Sequence, residues 1–157
     1  MVHKYKQFKD RPVAYFCTEY ALFDHTPFYM GGLGILAGDY IMEMIEQNFP
    51  AVALGLLYHK EHHHGTDLRE EKKSPEKLGL SLVKNKDGSI LKIPVTLTGR
   101  DIHVQVWMWK KEHVTLYLLD TQIEENSSED WKICDYLYIE DRELRLFQEL
   151  ILGIGGM

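Results

Sequence analysis

Cysteine is scarce, with Cys17 and Cys134 the two in 157 residues, and no CxxC pair is present. Two isolated thiols read as reduced core residues of a cytosolic protein and not as a disulfide framework. Long apolar runs are missing as well. The longest, Ala51–Tyr58 and Leu150–Ile154, fall far short of the ~20 residues that span a bilayer. The opening MVHKYKQFKD is basic but carries no apolar stretch, so it is not a signal peptide. Positive charge is in deficit: Lys plus Arg is 18 against 24 Asp plus Glu, a net charge of −6. That argues against nucleic-acid and anionic-membrane partners. Small anionic ligands remain open, because backbone amides bind them without net positive charge. There is no internal repeat, no low-complexity tract and no GxSxG, so a serine hydrolase has no support.

What is present is 45% hydrophobic and 27% charged residues, enough for a sizeable core and too apolar for disorder over most of the chain. At ~100–200 residues per domain, the chain is one domain or a piece of a larger one. Val13-Ala14-Tyr15-Phe16-Cys17-Thr18-Glu19 reads as a buried strand of a parallel sheet. After a loop come Gly31-Gly32-Leu33-Gly34 and then Leu36, Ala37, Ile41, Met44 and Ile45 at helical spacing, before Pro50. Ala51–Tyr58 is a second short apolar run. Together they form a strand–glycine loop–helix–strand crossover. His59 to Glu76 is polar and charged and reads as a surface excursion. Three alternating runs follow, around Leu91–Leu97, Ile102–Trp109 and Val114–Leu119, and read as an antiparallel meander. A short helix opens at Ser127 or Ser128 and another near Asp141. The second carries Leu144, Phe147, Leu150, Ile151 and Ile154 on one face. No later element is there to cover that face, so it is expected to drive self-association.

Three glycines within four residues, between a strand and a helix, let a backbone approach a ligand closely. The helix N-terminus adds free N–H groups and partial positive charge, which suits phosphate. The loop is neither GxGxxG nor a Walker motif, and a tight turn without a ligand explains the same residues. Glu19 ends its strand beside this loop, where open α/β sheets bind ligands; it can serve a loop amide or a sugar hydroxyl. His25 lies in the preceding loop and can line the same cleft. His59, His62, His63 and His64 invite a metal, but three adjacent imidazoles cannot converge on one ion in regular structure, so no metal site is assigned. Trp107 and Trp109 are read as packing residues more readily than as a sugar platform. Arg142 and Arg145 read as a paired helix surface.

These residues also resemble a known family. Val13–Tyr20, Tyr29–Asp39 and Gly55–Tyr58 are similar to the start of an α-glucan phosphorylase, the glycogen, starch and maltodextrin phosphorylase family, in its short bacterial and archaeal form. Val114–Thr121, Glu125-Asn126-Ser127, Asp141–Arg145, Gln148-Glu149 and Leu152–Gly156 are similar to its next blocks, in the same order. The resemblance implies an α/β fold: a partial Rossmann-like N-terminal domain of a GT-B fold, with an appended antiparallel β-meander. It implies that residues 1–157 are the first part of that domain and that the C-terminal cofactor-binding domain lies outside the chain. In the family, inorganic phosphate releases glucose 1-phosphate from α-1,4-glucans with the help of pyridoxal 5′-phosphate. By motif, Gly31, Gly32, Leu33 and Gly34 face the substrate phosphate and the transferred glucose. No lysine here resembles the Schiff-base segment, so no covalent cofactor and no catalysis by the chain alone are expected. The family's Tyr-Gly-Gly-Asp reads Tyr138-Ile139-Glu140-Asp141, which puts that turn in question. A glucan synthase with a Gly-Gly-Leu loop is the rival enzyme, disfavoured by the YLLDT and RELRLFQE blocks. A non-catalytic remnant that binds glucan or a partner chain is the rival of another class.

Overall fold

A computed structural model describes residues 5–8, 10–23, 28–60 and 74–157. Its frame is one six-stranded mixed sheet. Strand β1 is Val13–Phe16, β2 Ala51–Leu56, β3 Ser81–Leu82, β4 Lys92–Leu97, β5 Arg100–Lys111 and β6 Val114–Asp120. The order is β1-β2-β6-β5-β3, with β4 also on β5. β1, β2 and β6 run parallel, whereas β5 is antiparallel to β6, β4 and β3.

The three alternating runs of the sequence are β4, β5 and β6. They are not appended to a separate parallel core, however. β6 leaves the meander to pair with β2 from Val52↔Thr115 to Leu56↔Leu119. It is therefore shared, and its burial matches that position: all seven residues but Tyr117 are buried. β2 lies between β1 and β6 and is equally enclosed, as a parallel strand with both faces covered should be. β1 departs from expectation. It is shorter than the apolar run, and Val13, Ala14 and Phe16 are exposed, because β2 is its sole partner among the described residues.

Helix α1, Gly32–Glu46, crosses from β1 to β2 and buries Ala37, Gly38, Ile41 and Ile45. Gly38 is needed for that packing: a Cβ there would stand 2.7 Å from the Ala21 carbonyl oxygen. After β6 the chain turns through α2, Ser128–Trp131, and a short 3-10 turn, then α3, Arg142–Leu150. Ser127 caps α2 by accepting the Asp130 N–H, and Asp141 caps α3 by accepting from Glu143 and Leu144. A π-helical turn, Ile151–Gly155, carries the chain back over the sheet. Gly155 and Gly156 allow this closeness: a Cβ on Gly156 would meet Phe16 at 2.7 Å and Leu54 at 3.0 Å.

That return corrects the expected bare face. Phe147 and Ile151 are fully enclosed, and Leu144 and Leu150 are half-buried against the core. The cover comes from within the chain, since the turn after α3 packs on β2, β4 and β6. The large apolar residues left exposed from α3 onward are Leu146, Ile154 and Met157. The turn with Ile139 and Glu140 in place of glycines also forms: the left-handed residue is Tyr138, at φ 57°, and neither Ile139 nor Glu140 has positive φ.

Candidate functional site

The glycine loop lies where β1 hands over to α1, at the carboxyl end of the parallel strands. Its four motif residues divide by role. Gly34 is a packing residue: a Cβ there would overlap the Tyr29 side chain and lie 2.9 Å from Glu19 Oε2. Its carbonyl also accepts the Ala21 N–H at 2.9 Å. Gly31 and Gly32 are different, because a Cβ on either would meet nothing within 4 Å. Gly31 is extended at φ −162°, so neither crowding nor backbone strain calls for glycine there. Leu33 projects outward and is exposed. No side chain caps α1, and its first intrahelical bond runs from the Ile35 N–H to Gly31 O at 3.3 Å. The first-turn amides of a fifteen-residue helix thus point outward beside two positions with open space.

Glu19 is buried beneath this loop. One carboxylate oxygen accepts the Met30 N–H at 3.0 Å; the other accepts the Tyr138 hydroxyl. The carboxylate thereby joins the loop before α1 to the turn before α3, 119 residues away. The Glu19 hydrogen bond, with burial adding to it, pushes the Tyr138 phenol up to about 12. Sequence reading singled out Glu19 but not Tyr138, whose left-handed backbone and distant partner emerge only in the folded chain. Tyr58, two residues beyond β2, lies near enough to Glu19 and Tyr138 to feel their charge. Its hydroxyl is buried without a hydrogen-bond partner, and burial raises its pKa well above the ordinary phenol value. His25 lies outside the described residues, as do His62, His63 and His64.

His59 is placed by a second polar cluster. Its Nε2 is 2.8 Å from Asp120 Oδ1. Buried Asp120 also accepts from Gln105 Nε2 at 2.8 Å, Trp107 Nε1 at 3.1 Å and the Gln122 N–H at 2.9 Å. This carboxylate closes the end of β6 against β5 and the exit of β2. Trp107 is therefore a core residue with its indole N–H satisfied, and Trp109 packs edge-on to Phe23 at 5.7 Å. Asn126 clips the following loop to β5: its amide donates to His103 O at 2.6 Å and accepts the His103 N–H at 2.9 Å. Gln148 donates to the Ile133 and Tyr136 carbonyls. Arg145 pairs with Glu149 on the surface at 3.6 Å. Cys17 and Cys134 are free and buried, and burial pushes the Cys134 thiol up to about 12. Among the described residues no group of His, Cys, Asp and Glu is arranged to hold a metal ion. Nor, among the described residues, is any helix long and apolar enough to cross a membrane.

Comparison with known proteins gives a consistent origin for these blocks. No family model matches the chain. Maltodextrin phosphorylase from Thermococcus litoralis is 37% identical over 156 residues, covering 94% of this chain and 19% of its own length. Glycogen phosphorylase from Aquifex aeolicus is 32% identical over 162 residues, covering 97% and 23%. The chain thus spans about a fifth of the length of these relatives. Among solved structures, the catalytic domain of starch synthase IV from Arabidopsis thaliana, bound to ADP and acarbose, superposes with a TM-score of 0.55. It covers 92% of this chain and 26% of its own at 13% identity, a likeness of fold. Over nearly its whole length, the chain is homologous to the N-terminal portion of the maltodextrin and glycogen phosphorylases.

Proposed function

We propose that this chain forms the phosphate- and glucose-facing N-terminal part of an α-glucan phosphorylase, which releases glucose 1-phosphate from α-1,4-glucans with inorganic phosphate. The observation that carries this reading is the open space at Gly31 and Gly32. Gly34 and Gly38 are explained by packing; Gly31 and Gly32 are not. A ligand seated against the backbone would explain them, because a side chain at either position would stand between it and the amides. The amides of Gly32, Leu33 and Gly34 then meet the negative charge of phosphate with fixed dipoles that need no reorganisation. Glu19 and Tyr138 hold the loop from below. Burial of Glu19 keeps its own charge on the protein side of the loop, with both oxygens occupied.

In the family, pyridoxal 5′-phosphate supplies a phosphate group that exchanges a proton with the substrate. No lysine of this sequence stands in a context that resembles the family's Schiff-base segment, and Lys60, Lys92 and Lys132 are held by Asp135, Glu125 and Glu129. In this reading the cofactor is held by polypeptide that the longer relatives carry in addition, and the chain alone does not catalyse. A chimera tests it: the matched stretch of the Thermococcus enzyme is replaced by these 157 residues. Phosphate-dependent release of glucose 1-phosphate from maltodextrin is expected. A folded chimera that releases none contradicts the reading.

A further inference from the structure

Among the described residues, four that are not glycine have positive φ: Asn48, Thr98, Glu112 and Tyr138. Asn48 lies at the exit of α1, and Thr98 and Glu112 begin the two-residue hairpins that join β4 to β5 and β5 to β6. Such a conformation is ordinary in both settings. Tyr138 lies in neither, and at φ 57° the left-handed region is costly for a bulky aromatic residue. Its neighbours are fixed without it: Leu137 is buried, and Gln148 holds the Tyr136 carbonyl at 2.9 Å. The ring is 42% exposed, so packing does not account for the conformation. What the conformation delivers is the phenol hydroxyl to Glu19.

Glu19 passes that contact on. Its carboxylate is buried, and among the described residues no lysine, arginine or histidine pairs with it. Its place is set by two donors, the Tyr138 hydroxyl on one oxygen and the Met30 N–H on the other. The oxygen that holds Met30 also lies 2.9 Å from where a Cβ of Gly34 would stand. The carboxylate thus lies against the glycine loop at both ends, and no side chain caps α1 to share that task. We propose that Tyr138 is a positioning residue: acting through Glu19, it fixes the loop whose Gly32, Leu33 and Gly34 amides face the substrate, and it touches no substrate itself. The inference rests on the phosphate site proposed above. Fixed dipoles stabilise developing charge only while they stay aimed, and a misplacement of about 1 Å costs on the order of a hundredfold in rate. The Glu19 bond and burial push the phenol up to about 12, so its hydroxyl remains a donor throughout the neutral range.

Two substitutions and two readouts test this. Tyr138→Phe keeps the ring and removes the hydroxyl that Glu19 accepts. In the chimera it should lower kcat about tenfold or more and leave the KM for maltodextrin within about twofold, since uniform substrate binding is untouched. Glu19→Gln should lose less than Tyr138→Phe, although it changes the carboxylate itself. A glutamine oxygen still accepts the Met30 N–H, and its amide can donate to the Tyr138 oxygen, so the link survives. Unchanged kcat in Tyr138→Phe overturns the proposal. So does a Glu19→Gln loss as large as that of Tyr138→Phe, because charge and not the link would then matter. Hydrogen exchange on the 157-residue chain gives a readout independent of activity. In Tyr138→Phe the Met30 amide should exchange on the order of tenfold faster, with Ala53 of β2 unchanged. Equal Met30 exchange, or an equal gain at Ala53, overturns the proposal. A folded chimera that releases no glucose 1-phosphate overturns the activity instead, so the two failures are read separately.

Discussion

At the scale of single residues, identical amino acids do different work. Gly34 has no room for a side chain, whereas Gly32 has nothing near it. Gly34→Ala should therefore destabilise the chain by roughly 1–3 kcal/mol, as overpacked sites do, read as a lower urea midpoint. An unchanged midpoint would mean that Tyr29 moves aside freely. Tyr58 offers a test of the opposite sign. Its hydroxyl is buried and unpartnered, so Tyr58→Phe removes a polar group that already lacks a bond. Replacement should be neutral or stabilising, by up to about 1 kcal/mol. A clear loss of stability would show that the phenol has a partner in solution. At this scale the sequence disclosed the loop, but it did not separate its glycines. That separation depends on Tyr29, Glu19 and Ala21, which face the loop only after folding. Tyr138 was hidden for the same reason, since its partner is 119 residues away.

At the scale of elements, periodicity was the reliable guide. The period-two runs became β4, β5 and β6, and the apolar spacing after the glycines became α1. The run before the loop misled in part. Its unbroken apolar character matches a strand buried on both faces, yet among the described residues β1 pairs with β2 alone and leaves Val13, Ala14 and Phe16 exposed. Composition records what a strand is suited to bury, and its neighbours decide what it does bury. Nor could periodicity show that β6 closes against β2, because that pairing joins segments about 60 residues apart. The turn after β6 is held by carboxylates, and one of them titrates usefully. Burial opposes ionisation of Asp130, but the Arg100 guanidinium and the Ser127 hydroxyl outweigh it, so its pKa is lowered. A carboxyl with a depressed folded pKa stabilises fully above its unfolded value of about 3.9 and loses that contribution as pH falls through the folded one. Urea midpoints measured from pH 7 to 2 should drop below about pH 4, and Asp130→Asn should start lower and fall less. Parallel curves for the two proteins would remove Asp130 from the acid response.

At the scale of the whole molecule, the homologous blocks fall into two groups. Asp120, Asn126 and Gln148 lock the turns that follow β6 and explain their blocks by structure alone. The glycine loop is the block that structure alone leaves half explained. In the proposed function, Gly31 and Gly32 are open because a phosphate-bearing substrate sits there. Gly32→Ala in the chimera tests it most directly, with kcat and KM for phosphate measured beside the thermal midpoint. The added methyl meets no protein atom, and alanine favours a helix over glycine by up to about 1 kcal/mol. The midpoint is expected to be unchanged or raised and kcat/KM lowered at least tenfold, or about 1.4 kcal/mol of lost transition-state stabilisation. Full activity in the Gly32→Ala chimera would contradict it, because the space would then be open for no substrate.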